Sequence, residues 1–216
     1  MEKKDLLKDV IKHIDIKSYN STELIDAMRN MSFTSRDTAR AADILMMMCK
    51  EKECTNILTL AGSTSAAGCM QVYVDMVRNK MIDVVVATGA SIIDMDLFEA
   101  LGFKHYIGEK ENVIADTTLR DLYIDRIYDT YIDEEELQAC DHTTFEIANM
   151  LEARPYSSRE FIYEIGKWLH DGHAVKKDSL IQTCYECGVP IFVPAFSDSS
   201  AGFGIGKHQW ERMQKS

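Results

Sequence analysis

The sequence predicts an α/β fold, a parallel sheet with flanking helices, and three observations carry that expectation. Ile57-Leu58-Thr59-Leu60 is a short apolar run that gives way to a turn of Gly, Ser, Thr and Ala and then to a helical pattern. Ile82-Asp83-Val84-Val85-Val86-Ala87 repeats the arrangement at once, through Thr88-Gly89-Ala90-Ser91. A third run, Val189 to Phe196, reads as a strand buried on both faces and ends in Ser197-Asp198-Ser199-Ser200-Ala201-Gly202. Strand, small-residue turn and helix in tandem form a βαβ unit, and a parallel sheet built of such units is Rossmann-like.

Taken in order, Leu6, Leu7, Val10, Ile11 and Ile14 stand at helical spacing across Lys3 to Ile14. A second helix is expected from Ser21-Thr22, turning Leu24, Ile25 and Met28 inward. A third, capped by Thr34 or Ser35, should run from about Arg36 to Lys52 with Ala39, Ala42, Leu45, Met46 and Cys49 on one face. Met46-Met47-Met48 then reads as flexible core filler, not a soft-metal site. Residues 1–53 thus form an N-terminal helical segment and 54–216 a partial Rossmann-like domain, one continuous domain overall.

After the first turn a helix opens near Ala66 and continues through Val72, Met76 and Val77; after the second, one runs from about Asp94 to Leu101. Phe103 to Glu109 is strand-like, with His105 a structural histidine among aromatics, and Glu111 to Thr118 a surface excursion. Ile124 to Tyr131 reads as an irregular strand or a loop lining a site. Asp133-Glu134-Glu135-Glu136 begins a helix to about Glu152, its acids suiting the positive helix N-terminus. Arg154-Pro155 ends it, and Ser157 with Glu160 forms a capping box for a helix presenting Phe161, Ile162, Ile165, Trp168 and Leu169. A last helix, Ser179 to Cys187, stops at Gly188. A parallel sheet that has just laid down a strand continues with a helix and more strands, so the sequence reads as the front part of a larger fold.

The net charge of −11 opposes non-specific binding to nucleic acid or anionic membrane, whose phosphates would repel it. No apolar run approaches the roughly 20 residues of a membrane span, and MEKKDLLKDV has no signal-peptide core, which points to a cytoplasmic protein. The six cysteines are then free or buried thiols. Cys184 and Cys187 have CxxC spacing, but no second pair or histidine stands at ligand spacing, so no metal is expected.

Small side chains at a strand end let backbone N–H groups approach a phosphate, and three such ends suggest one crevice at the carboxyl edge of the sheet. Neither of the first two turns reads G-x-G-x-x-G. Asp198, directly after an apolar strand, suits a ribose hydroxyl, a substrate cation or a helix N-cap equally.

The motifs LTLAGSTSAAG, MIDVVVATGASIIDMDLFEALG, HYIGE, IDRIYDTYI and GVPIFVPAFSDSSAGFG, in this order, resemble the deoxyhypusine synthase family and its synthase-like branch from about Tyr19 onward, over the first part of that family's fold. The resemblance implies an NAD site in which Ser63, Thr64 and Ser65 form the first contacting turn, Thr88, Gly89 and Ala90 the second, and Asp198 a further contact. It implies transfer of an aminobutyl or related group from spermidine or another polyamine to an amine acceptor, a lysine of a translation factor in the true synthases. It also implies an oligomer, homotetrameric in the family, with sites at a dimer interface. Asp94 alone is positioned to keep a cation contact, since Met95 stands where the family has a second glutamate and Phe203 where it has a spermidine-binding aspartate. The imine-forming lysine has no counterpart here, and Lys207 lies outside any matching motif. Activity from this chain alone is therefore not expected. The alternative is a catalytically silent regulatory or split subunit completing an assembly with a homologue or second chain; a nucleotide-binding domain unrelated to polyamines ranks below both.

Overall fold

The structure, a computed structural model, describes residues 1–108 and 113–215. Its strands are β1 (Ile57–Leu60), β2 (Val84–Ala87), β3 (His105–Ile107), β4 (Ile124–Ile127), β5 (Thr130–Asp133) and β6 (Ile191–Phe192). The helices are α1 (Lys3–Leu6), α2 (Thr22–Met28), α3 (Phe33–Lys50), α4 (Met70–Arg78), α5 (Phe98–Ala100), α6 (Asp116–Asp121), α7 (Glu134–Met150), α8 (Ser158–Trp168), α9 (Leu180–Cys187) and α10 (Ala201–Lys215).

The expected parallel sheet is present, in the order β1-β2-β6. β2 lies in the middle, pairing Val84 with Ile57 and Val85 with Ile191. Val85 is fully buried, as are Val74 of α4, Ile92, Ile93 and Leu97 ahead of α5, and Ile165 of α8, so the main core lies between this sheet and its helices. β6 is shorter and more open than expected: Ile191 is buried but Phe192 is 40% exposed, because only β2 pairs with it.

A second sheet, β3-β5-β4, is antiparallel and was not expected. Ile124 to Tyr131 is a hairpin closed by the two-residue turn Tyr128-Asp129, with Ile127 opposite Thr130 and Tyr128 at φ +54°. Two-residue hairpin turns favour Asn or Gly at positive φ, and neither residue is there to announce it. The N-terminal helix is also corrected: α1 ends at Leu6, and Val10 bridges Tyr106 of β3 in antiparallel fashion. Pairing with an open strand edge outcompetes the helical spacing of Val10, Ile11 and Ile14.

The bounds of the other helices follow the sequence closely, although Leu24 of α2, expected to face inward, is 59% exposed. Asp133 caps α7, its side chain accepting from Glu135 N and Glu136 N. Ser157 and Glu160 form the capping box of α8, and Ser179 and left-handed Gly188 bound α9. α3 begins earlier, at Phe33, and packs chiefly on α2; Met46 and Met47 are 55% and 61% exposed, so they are surface residues rather than core filler. The expected surface excursion Glu111 to Thr118 and the end of the strand at Glu109 fall partly on 109–112, outside the described residues; 116–118 open α6. All six thiols are free, with Cys184 buried and Cys187 exposed.

Candidate functional site at the carboxyl edge of the parallel sheet

Because the three strands are parallel, their C-terminal ends lie at one edge, and the turns that follow them meet there. The first and second turns are joined by the Ser91 hydroxyl, which donates to the carbonyl of Gly62 at 3.2 Å and lies 2.9 Å from Thr88 Oγ1. Thr88 N–H donates to Leu60 O, tying the second turn to the end of β1. The second and third turns touch at Gly89: a Cβ there would stand 2.7 Å from the Ser199 side chain and 3.0 Å from Phe196 O. Only glycine permits that approach.

The first turn is a wide helical turn, Ser65–Cys69, in which Gly68 breaks to φ +97° before α4 begins. Ala67 N–H donates to Ser63 O and Cys69 N–H to Thr64 O. Ser63 is half-buried, Thr64 exposed with its hydroxyl 2.8 Å from Tyr73 OH, and Ser65 buried. Gly62 takes φ +71°, and a Cβ added there would meet nothing within 4 Å. In the second turn Thr88 is exposed, Gly89 buried and Ala90 half-buried at the start of a wide helix, Ala90–Leu97, that leads into α5. Asp198 is exposed in a short helical turn, Phe196–Asp198; the position before α10 belongs to Ser200, so Asp198 is not its N-cap.

A second acid close to this edge is Asp94, in the helix that follows the second turn. Its Oδ1 accepts from Ser200 N–H at 3.1 Å and from the Ser200 hydroxyl at 2.6 Å, so it fastens the start of α10 to the helix after the second turn. Burial raises its carboxyl above the usual range, and the two bonds from Ser200 pull the other way. Asp141 of α7 lies close by. Burial pushes it up to about 6, opposed by Ser200 and reinforced by the charges of Asp94 and Glu134, and its buried Oδ1 has no partner. With Glu134, Gln138, His142, Phe145, Phe203 and Lys207 it lines a cleft of about 390 Å³ in which Lys207 Nζ sits 4.5 Å from the Phe145 ring centre.

The residues expected to contact a dinucleotide are therefore brought together. Open space over Gly62, exposed hydroxyls at Thr64 and Thr88, the close approach at Gly89 and the exposed Asp198 carboxylate fit a pyrophosphate and a ribose at this edge. Sequence reasoning passed over Ser91, Ser199 and Ser200, which hold the turns to one another; their position in small polar turns was the available signal. It also passed over the buried group around Glu99. His105, read as structural, donates through Nδ1 to the Glu99 carboxylate at 2.9 Å while its buried Nε2 is without a partner. Among the described residues no cluster of three or more His, Cys, Asp or Glu could hold a metal ion, and no helix is long and apolar enough to cross a membrane.

A family profile described as deoxyhypusine synthase matches residues 23–216. A deoxyhypusine synthase-like protein of Caulobacter vibrioides is 66% identical over 212 residues, covering 98% of this chain and 57% of its own length. One from Coxiella burnetii is 60% identical over 207 residues, with 96% and 58% covered. The chain thus spans somewhat under three fifths of these relatives. A solved structure described as a candidate deoxyhypusine synthase from Entamoeba histolytica superposes with a TM-score of 0.62 at 20% identity, over 91% of this chain and 66% of that one, which is a likeness of fold.

Proposed function

The chain belongs to the deoxyhypusine synthase family, and from that premise we propose that it holds NAD at the carboxyl edge of its parallel sheet, as part of an NAD-dependent transferase. The group moved is the aminobutyl or a related alkylamine group of spermidine or another polyamine, and the acceptor is an amine such as a protein lysine. The single observation that supports this reading is the meeting of the three turns, joined by Ser91 to Gly62 and by Gly89 against Ser199.

In this reading Ser63, Thr64, Ser65 and Thr88 offer hydroxyl and backbone donors to the phosphates, Gly89 and Ala90 keep side chains out of the way, and Asp198 accepts from a ribose hydroxyl. Asp94 has one oxygen engaged with Ser200, and its other oxygen is the one assigned here to a substrate ammonium. Held by these residues, NAD would supply a hydride acceptor for oxidation of the amine carbon to an imine; the acceptor amine would displace the departing amine there, and return of the same hydride would reduce the new imine and leave the cofactor oxidised. The net charge of −11 favours a polycationic substrate over a polyanionic one. We place the protein in the cytoplasm, acting in a homo- or hetero-oligomer.

Titration of the chain with NAD by calorimetry tests the reading: a saturable heat is expected, and no binding at millimolar NAD would refute it. A second reading, a non-catalytic partner of a longer homologue, draws on Met95 and Phe203. Neither side chain carries a carboxylate to hold an amine, at the buried position of Met95 or the exposed one of Phe203. NAD binding without any amine transfer, in the presence of a full-length homologue, would favour it.

A further inference from the structure

We propose that the N-terminal arm, residues 9–14, is a positioning element for the first small-residue turn, with a neutral His13 as its working group. The proposal rests on the NAD reading above for its functional consequence and on separate geometry for its mechanism. α4 begins immediately after that turn, and the residue before it, Cys69, supplies no side-chain cap. The first N–H groups of a helix have no partner within it and need one from elsewhere. Here the partner comes from 57 residues away: Met70 N–H donates to His13 Nδ1 at 3.2 Å.

An imidazole nitrogen that accepts carries no proton, so the ring proton of His13 is on Nε2, and that atom donates to Glu99 Oε2 at 2.6 Å. Burial alone would raise the Glu99 carboxyl, but hydrogen bonds from His105 and His13 and the charge of Lys176 hold it well below the usual carboxylate range, so it is a ready acceptor. The ring is thus fixed in one tautomer by the helix start on one side and a buried carboxylate on the other. The flanking backbone completes the clamp. Ile14 N–H donates to Gly68 O at 2.9 Å, and Lys12 O lies 3.0 Å from where a Gly68 Cβ would be. On the other side Ile11 N–H donates to His105 O and Ile107 N–H to Asp9 O, anchoring the arm to β3. The arm therefore spans from the antiparallel sheet to the end of the first turn, and fixes Gly68 to Met70 beyond Ser63, Thr64 and Ser65.

The test uses the chain with His13→Asn, His13→Gln and His13→Ala at about pH 8. Asparagine places an acceptor where Nδ1 stood; glutamine keeps only the donor toward Glu99. Expected are NAD affinity within about threefold of wild type for H13N, and at least about tenfold weaker binding for H13Q and H13A, as for loss of one capping bond. Amide exchange at Met70 should accelerate about tenfold in H13Q and H13A and stay near wild type in H13N. Equal affinities in all variants, or H13N as weak as H13A, would overturn the proposal. If H13A does not fold, the Asn and Gln pair decides. Should the wild-type chain not bind NAD, the cofactor reading fails by itself, and Met70 exchange still shows whether His13 holds the turn: unchanged exchange in H13Q would overturn that.

Discussion

Replacing Asp96 with asparagine should change stability by an amount that depends on pH. Asp96 is buried, and its two oxygens each accept one backbone N–H at 2.7 Å, from Leu180 and from Ile181, at the start of α9. Burial lifts its carboxyl from 3.8 to about 6 despite those two bonds. That displacement corresponds to about 3 kcal/mol against the ionised form. Since the folded value lies above the unfolded one, the contribution is full below pH 3.8 and is lost as pH rises through about 6. Asparagine does not ionise, so it escapes this loss, but it has one acceptor for two donors, and an unpaired buried N–H costs about 1–3 kcal/mol. The variant should therefore be clearly less stable than wild type near pH 4.5 and close to it near pH 8, the gap narrowing by about 2 kcal/mol. Urea unfolding of both proteins across this range measures the gap directly, and pH effects from other groups cancel in the difference. A gap that stays constant, or widens toward pH 8, would refute the reasoning.

Four further outcomes follow from the same structure. Glu99→Gln leaves Lys176, His13 and His105 without their shared carboxylate; breaking a buried pair costs about 3–5 kcal/mol, seen as a lowered thermal midpoint. Because the Glu99 carboxyl is held low, its contribution is present above its unfolded value and lost as pH falls, so the variant's stability should fall less steeply in acid. Gly204→Ala drives a Cβ into Asp141 O and should destabilise α10 against α7 by about 1–3 kcal/mol in chemical denaturation. Gly89→Ala parts the second and third turns and should weaken NAD binding by at least about tenfold in calorimetry, the effect of displacing one well-made contact. Phe192 at the open side of β6, with Phe33, Met46 and Met47 on α3, predicts self-association at micromolar concentration, and a clean monomer in sedimentation velocity would contradict it.

The parallel strands and their turns were legible because their signals are local: β-branched runs, then small residues, then helical spacing. The capping residues of α7, α8 and α9 were legible for the same reason. What escaped had non-local causes. Val10 reads as helical until β3 offers it an edge. The hairpin of β4 and β5 hides behind Tyr128, a residue that rarely takes positive φ. α10 hides behind Gly202, Gly204 and Gly206, each costing roughly 1 kcal/mol in a helix. At least Gly204 is required by the close approach to Asp141 O on α7, which a single sequence does not reveal. In the candidate site the residue types were readable, but their fastenings were not, since Ser91, Ser199 and Ser200 act on partners far away in the chain.

The sequence directs attention to the first turn, yet the structure puts the organising role on the helix after the second. Three acids lie along 94–99, and each fastens a different part of the fold. Asp94 takes the start of α10 through Ser200, and Asp96 takes the start of α9 through two amides. Glu99 takes the N-terminal arm, β3 and the segment after α8 through His13, His105 and Lys176. Two of those attachments lead back to the candidate site: Ser200 ends the third turn ahead of α10, and His13 seats the end of the first. Because this helical stretch begins at Ala90, in the second turn, and runs on through Glu99, all three turns are tied to one continuous segment. A substitution at any of the three acids should therefore reach the sheet edge through a different element, and their effects on NAD affinity should differ accordingly: Asp94 through the third turn, Glu99 through the first, and Asp96 through α9 with the least effect of the three. Equal losses of affinity from all three would mean that the helix acts only by general stability, and not as the frame on which the turns are set.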